Sequence, residues 1–526
     1  MGPEGTDPAR LSAAPEDAPG RDPPAWPVIA GLAAAKLALH LAVNATTPYG
    51  FHRDELLYLA MGRHLRLWRM DFPPAIALIA EAVRAVLGDS LFAIRLVPAL
   101  AGTALLVLAA LVARELGGGR RAQSLAALGV LASPLFLRSA NLFQPVVLDQ
   151  LAWTVALYAL IRLCREERPS WWLVLGAALG AGLLTKFSAA FIGLALLLAL
   201  LSTPRRAWLR GPWPWLAALL ALGIGSPSLV GQARLGFPVL GQMADLRQAQ
   251  LERVTPLDFL TGQLLWGPAT LLGLAGLAGL LADRRLRAFR VAGWACVWLF
   301  VILVALHGKS YYAGPVYPTL LGAGGVMLER IRGARLGPAV RWGAAAVLVL
   351  VMAALLPIGV PILQPAVMAR YAHAIGASAA LRTNTGEMEQ LPQDYADMVG
   401  WEEQVRAMAR VYRSLPPPDR ARAVLVAGNY GEAGALDLFG PRYGLPAVVS
   451  PTGSFWFFGP GAKPGEVVVT IGAGREDLAP LFDSVAAAAR VTSPWSVAEE
   501  RDLTVYVARG PHRTLQELWP SLAGRN

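Results

Sequence analysis

The strongest constraint on this chain is a succession of apolar runs, separated by short polar loops and many of them long enough to cross a bilayer as helices. In hydrocarbon a backbone satisfies its N–H and C=O groups only inside a helix or a closed barrel. The candidate runs are residues 26–43, 96–112, 122–136, 146–163, 171–184, 189–201, 213–230, 264–282, 291–306, 315–327 and 339–357, about eleven spans. With 55% hydrophobic and 16% charged residues, the composition is that of an integral membrane protein.

The two ends read differently. Residues 1–25 are rich in Pro, Ala, Gly and Asp without apolar periodicity, which predicts a disordered cytoplasmic tail. The tail holds more acid than base, so the first run lacks the basic flank of a signal peptide and reads as a retained span. From about residue 364 the composition becomes that of an ordinary soluble protein. Strand-like runs at 423–427, 466–471 and 503–508, with helical stretches at 401–415 and 476–489, predict a small α/β domain over 364–526. The expectation is an all-α polytopic membrane domain over 26–363, containing a first outer loop at 44–92, followed by this α/β domain.

A net charge of +11 raises the question of nucleic acid, but the distribution of the arginines excludes it as a partner. They cluster at Arg114, Arg120 and Arg121; at Arg162, Arg165 and Arg168; at Arg205, Arg206 and Arg210; at Arg284, Arg285, Arg287 and Arg290; and at Arg330, Arg332, Arg335 and Arg341. With the spans above, all five clusters fall on one side, which the positive-inside rule makes cytoplasmic. An odd number of spans then puts the C-terminal domain outside an inner or plasma membrane. Cys164 and Cys296 both lie in apolar segments, so they read as packing residues and no disulfide or zinc spacing is present.

Residues 49–74, YGFHRDELLYLAMGRHLRLWRMDFPP, are the densest polar stretch. They set Asp54, Glu55 and Asp71 among His52, Arg53, Arg63, His64, Arg66 and Arg69, with Tyr58 and Trp68 between. Outside the membrane these arginines run against the topological bias, so they hold phosphate, pair with the loop's own carboxylates, or are simply solvated. Asp54 and Glu55 also suit the N-terminus of a helix. The same topology brings to the outer face Asn141, Gln144 and Asp149 of NLFQPVVLDQ, Lys186 of LLTKFS, and His307, Lys309, Tyr311, Tyr312 and Tyr317 of HGKSYYAGPVYP. Ionisable residues at membrane depth are functional candidates by default, whereas the tyrosines also fit an interfacial belt. Carboxylates, lysines and phenols under an apolar vault suit glycosyl transfer from a polyprenyl-phosphate sugar: Asp54 as base, and Lys309 with Tyr311 and Tyr312 on the phosphate. The piece GNYGEAG follows a strand but lacks the full glycine pattern of a dinucleotide loop.

The stretches HRDELLYLAMGRHL with DFPP, NLFQPVVLDQLAW, LLTKFSA, GKSYYAGPVYP and NYGEAGALDLFGPRYGLP together resemble the bacterial glycosyltransferase family 39 proteins, relatives of the protein O-mannosyltransferases and of the aminoarabinose transferase that modifies lipid A. The resemblance implies a GT-C type membrane fold, a polyprenyl-phosphate sugar donor and an inverting transfer on the extracytoplasmic face to a lipid, polysaccharide or protein acceptor. It carries the family's acidic pair onto Asp54 and Glu55, and its phosphate-binding Lys and Tyr onto Lys309, Tyr311 and Tyr312. Arg53, Tyr58, Asp71, Asn141, Gln144, Asp149, Lys186 and Tyr317 complete the expected substrate-binding set. No Asp-x-Asp motif lies in the first loop, so neither a metal nor another cofactor is implied. A lipid transporter or flippase would also carry ionisable residues in its spans, but no internal repeat is visible. A non-catalytic lipid-binding relative would be expected to show a damaged acidic pair, and Asp54-Glu55 is intact.

Overall fold

The computed structural model describes residues 19–377, 381–383 and 386–522. Residues 1–18 of the expected tail lie outside them. The chain divides into two compact units: Met1–Ala45, Arg95–Val230 and Leu240–Val360 in one, and Thr46–Ile94, Gly231–Val239 and Pro361–Asn526 in the other.

The first unit is helical. All eleven apolar runs contain helix, but among the described residues six helices are long and apolar enough to cross a membrane: Trp26–Thr46, Leu91–Glu115, Pro145–Glu166, Trp213–Arg234, Arg284–Ala305 and Leu336–Gly359. Two bent pairs, Ala189–Leu201 with Pro204–Arg210 and Pro256–Trp266 with Ala269–Ala282, raise the number to eight at most. By length and composition the described residues thus give six to eight spans, against the expected eleven. The reason is length: Arg120–Leu131 and Tyr317–Glu329 have 12 and 13 residues. At 1.5 Å per residue each reaches only about 20 Å, short of a hydrocarbon core of roughly 30 Å. Such short helices stay inside the bundle by close packing. A Cβ on Gly276 would lie 1.9 Å from the Leu320 carbonyl oxygen, and one on Gly324 would lie 2.0 Å from that of Leu272, so Ala269–Ala282 and Tyr317–Glu329 touch backbone to backbone.

The five arginine clusters are tied together. Fully buried Glu115 receives Arg165 Nε at 3.4 Å and Arg21 at 3.2 Å, Glu167 pairs with Arg205 at 2.7 Å, and Asp283 with Arg330 at 2.8 Å. The Glu329 carboxylate accepts from the backbone N–H groups of Gly119, Arg121 and Ala122. The same end corrects the expected tail at residues 19–25: Arg165 donates to the Pro19 carbonyl at 3.0 Å, and the Ala25 N–H donates to Gln123 Oε1 at 2.8 Å. Polar anchoring replaces the apolar periodicity the segment lacks.

The second unit is built on a five-stranded sheet, β1 Ala423–Ala427, β2 Val448–Val449, β3 Val467–Ile471, β4 Phe482–Thr492 and β5 Asp502–Pro511, in the order β2-β1-β3-β5-β4. β1 pairs in parallel with β2 and β3, whereas β5 is antiparallel to both β3 and β4. The three expected strands are present. The helix expected at 476–489 is not: only Arg475–Leu478 is helical and the rest is the edge strand β4. Its alanine run favours helix locally, but pairing with β5 overrides that preference.

Residues 46–94, nearly all of them inside the outer loop expected at 44–92 of the membrane domain, fold with the C-terminal residues as part of this unit. They form helices Arg53–Arg63 and Ala75–Leu87. Helix Arg53–Arg63 lies against helix Tyr430–Phe439, where a Cβ on Gly434 would come 2.7 Å from Leu56 Cβ and 2.8 Å from its backbone carbon. The glycines of NYGEAG thus serve this contact, and Asn429 and Glu432 form the capping box that starts the helix, leaving nothing of a dinucleotide loop.

Candidate active site

Helix Arg53–Arg63 begins with a capping box that fixes the acidic pair. The Asp54 N–H donates to His52 Nδ1 at 3.1 Å, and the His52 N–H donates to Glu55 Oε2 at 2.8 Å. Glu55, the second member of the expected acidic pair, is fully buried and serves as a cap in the interior. Asp54 is placed otherwise: its side chain remains 30% exposed, and Oδ1 accepts the Tyr430 hydroxyl at 3.1 Å.

Arg53, expected at a substrate, is turned toward protein carboxylates. Its guanidinium pairs with Glu499, lies 3.2 Å from Glu500 and 3.4 Å from Asp397, and rests 5.7 Å from the centre of the Tyr430 ring. The residues around it are strongly perturbed. Burial pushes the Asp397 carboxyl up to about 7, against the pull of Arg53. Burial and nearby Glu500 also push Glu432 up. The Tyr430 phenol is driven well above its usual value, by burial first and then by the Asp54 charge. Arg63 likewise pairs with Asp437 at 3.2 Å, and His64 stacks on Phe458 at 4.2 Å.

The other residues expected from this stretch are interior. Tyr58 packs on the Phe72 ring at 5.9 Å. Asp71, 3% exposed, accepts from Ser454 Oγ at 2.9 Å, while its carbonyl accepts from Gln232 Nε2. Together with Phe72, Pro73 and Pro74 it makes a fixed corner before helix Ala75–Leu87.

A second cluster belongs to the helical unit. Asp149 lies in the first turns of Pro145–Glu166, a helix whose other end reaches the arginine network, roughly 25 Å away at 1.5 Å per residue. Asp149 Oδ2 accepts from Ser188 Oγ at 2.9 Å, and Lys186 is near enough to act on its charge. Lys186 Nζ stands 5.0 Å from the centre of the Tyr312 ring, whose neighbour Tyr311 lies edge-on at 4.8 Å. Lys309 Nζ donates to Gln250 Oε1 at 2.5 Å. Its ammonium is held below the usual lysine range by burial, with Tyr311 opposing and with Arg138 and Lys186 adding their repulsion. Three cations and two phenols therefore converge, the composition that receives a phosphate.

Gln144 is the N-cap of Pro145–Glu166. Asn141 is buried beside His40, whose ring is near Lys36 Nζ, itself a donor to the Phe136 carbonyl. Tyr317 lies elsewhere, 3% exposed in the helical core, stacked on Trp266 at 4.5 Å with its hydroxyl donating to Gln263. Among the described residues, no three His, Cys, Asp or Glu side chains are grouped as metal ligands.

Residues 71–230 match the family model described as dolichyl-phosphate-mannose-protein mannosyltransferase. Two solved structures are similar along nearly the whole chain. The crystal structure of ArnT from Cupriavidus metallidurans in the apo state superposes with a TM-score of 0.61 at 17% identity, covering 95% of this chain and 98% of that one. The same protein bound to undecaprenyl phosphate gives a TM-score of 0.58, with equal identity and coverage. The chain has the GT-C membrane glycosyltransferase fold. The expected likeness to family 39 proteins is thus present in sequence over residues 71–230 and in fold over 95% of the chain, which is a multi-pass membrane protein. No curated protein matches the chain.

Sequence reasoning missed Tyr430, Asp397 and Glu500 around Asp54, and Arg138 and Gln250 around Lys309. For Tyr430 a signal existed, since NYGEAG carried part of the family resemblance. Arg138 lay unremarked between two apolar runs, and Gln250 looked like any solvated glutamine.

Proposed function

We propose that the protein transfers a sugar from a polyprenyl-phosphate carrier to an acceptor hydroxyl on the extracytoplasmic side of a bacterial inner or plasma membrane. In this reading Asp54 takes the proton of the acceptor hydroxyl as its oxygen attacks the anomeric carbon. The bond from that carbon to the phosphate oxygen breaks on the opposite face, giving inversion, and the polyprenyl phosphate leaves with the bonding electrons. Arg138, Lys186 and Lys309, with the phenols of Tyr311 and Tyr312, neutralise the charge that grows on the leaving phosphate. The cations supply this charge from the chain itself, and the reading requires no metal.

The observation that carries the proposal is the selective exposure of Asp54. Its side chain is 30% exposed, whereas Glu55 and Asp71 are 0% and 3% exposed. A base must reach its substrate, and of the three expected carboxylates Asp54 is the one so placed. The fold and the family model over residues 71–230 support the same chemistry. The five tied arginine clusters support a cytoplasmic assignment for their end of the helical unit.

The test is Asp54→Asn in a purified protein assayed with a panel of polyprenyl-phosphate sugars and cell-envelope acceptors. Turnover is expected to fall by about 10²–10⁴-fold with melting behaviour unchanged. Wild-type turnover would remove Asp54 as the base.

A further inference from the structure

We infer that Tyr430 is the positioning residue for Asp54: its hydroxyl donates to Oδ1, fixing the carboxylate and favouring its ionised form. The inference rests on the reading of Asp54 as the base, and it concerns how the C-terminal domain prepares that base.

The geometry begins with the cap. Asn429 Oδ1 accepts from the Gly431 and Glu432 N–H groups, which sets Tyr430 at the first position of its helix. Asn429 Nδ2 donates to Glu500 Oε1 at 2.7 Å, and Glu500 Oε2 accepts from Gln404 Nε2 at 2.8 Å. Glu500 in turn faces Arg53, the chain neighbour of Asp54. The ring is also confined. Arg53 stands over it, and Gly453, at φ +55°, brings its backbone so near that a Cβ there would lie 3.3 Å from Tyr430 Cβ. Tyr430 and Asp54 are therefore joined twice, by the direct bond and through Asn429, Glu500 and Arg53.

The direction of the bond is fixed by charge. Buried and beside an anion, the phenol keeps its proton across the working pH range, and toward an ionised carboxylate, which can only accept, it is the donor. A donor to a carboxylate favours the charged form and lowers its pKa, and it holds the group in one orientation. For a base this keeps the proton-accepting form populated at neutral pH, at some cost in basicity.

Other groups near Asp54 titrate too. His52 Nδ1, on the same element, lies 3.9 Å from Oδ2. The segment before helix Trp401–Ser414 brings Asp394 and Asp397, each within 4 Å of His52 Nε2. The turn at Ala498–Glu500 brings Glu499 and Glu500 around Arg53, and the Tyr430 helix brings Glu432. A shift in a bulk pH profile would mix all of these, so the measurement must observe Asp54 itself.

The experiment is infrared difference spectroscopy on the full chain in lipid nanodiscs between pH 4 and 9. The Asp54 carboxyl band is identified as the one lost in Asp54→Asn. In Tyr430→Phe its midpoint is expected to rise by about one pH unit, the size of one lost hydrogen bond to a charged group. Replacing Tyr430 with 2,3-difluorotyrosine, which keeps the shape and makes a stronger donor, is expected to move the midpoint down. An unmoved midpoint in both variants, or a fall in Tyr430→Phe, would overturn the inference. If only one variant folds, its shift alone decides. The base assignment is judged separately: wild-type turnover in Asp54→Asn defeats that reading, whereas loss of turnover with an unmoved midpoint in the Tyr430 variants defeats only this one.

Discussion

At the scale of single residues, burial sorts carboxylates of similar appearance into different tasks. Asp54 and Glu55 are adjacent in sequence, yet one reaches solvent and the other is sealed into a cap. Nothing in the letters D and E separates them, because both favour a helix N-terminus. Asp397 represents a third outcome, a carboxyl held near neutrality inside the protein. Its pKa of about 7 lies above the ordinary 3.8 even with Arg53 beside it. Between those values the folded protein holds a proton that the unfolded chain has released, so stability from this group is fully present below about pH 4 and declines as pH rises to about 7. Asp397→Asn keeps the shape and removes the charge, and Arg53 retains Glu499 and Glu500. The variant is expected to melt several degrees above the wild type at pH 8 and level with it near pH 4, measured by intrinsic fluorescence.

At the scale of elements, the legible features were those written in local chemistry. The apolar runs predicted a helix at every expected span, and β3 falls within the expected residues because the β-branched run VVVTI leaves little choice. What was not legible depended on partners far along the chain. Residues 482–489 read as helix until β5 is there to pair with them. The glycines of NYGEAG have no visible task until helix Arg53–Arg63 lies against them. This contact is testable. Gly434→Ala puts a methyl group into the Leu56 backbone, which is expected to destabilise the second unit by about 1–3 kcal/mol and to lower turnover as Asp54 is displaced. Gly31→Ala, in the first helix with nothing within 4 Å of its Cβ, is the matched control and is expected to be neutral or slightly stabilising. Equal melting of the two variants would show that the close approach at Gly434 carries no energetic weight.

At the scale of the whole molecule, the partition of the chain differs from the order of its sequence. A hydropathy reading assigns residues 46–94 to the membrane domain because apolar helices flank them on both sides. Their contacts instead lie with residues more than three hundred positions away: Gly50 with Met398, Arg53 with Asp397, Arg63 with Asp437 and Asp71 with Ser454. Such pairings leave no periodic trace in a single sequence, which is why Asp54 could be singled out there and the residues around it could not. The consequence is that the first polar stretch depends on the C-terminal residues for its fold. A chain ending at Val360 keeps all of the helical unit but loses Pro361–Asn526, so Thr46–Ile94 is left without the helices and strands that bury Leu56, Asp71 and Arg53. Limited trypsin digestion in nanodiscs is expected to cut this truncated chain at Arg53 or Arg63 within the time that leaves those two sites of the full chain uncut, whereas Arg66 and Arg69 are already exposed in the full chain. Arg63 is the most telling site, because its pairing with Asp437 disappears with the truncation. Equal resistance of the two chains would mean that residues 46–94 fold without the C-terminal domain, and that Asp54 owes its placement to its own stretch alone.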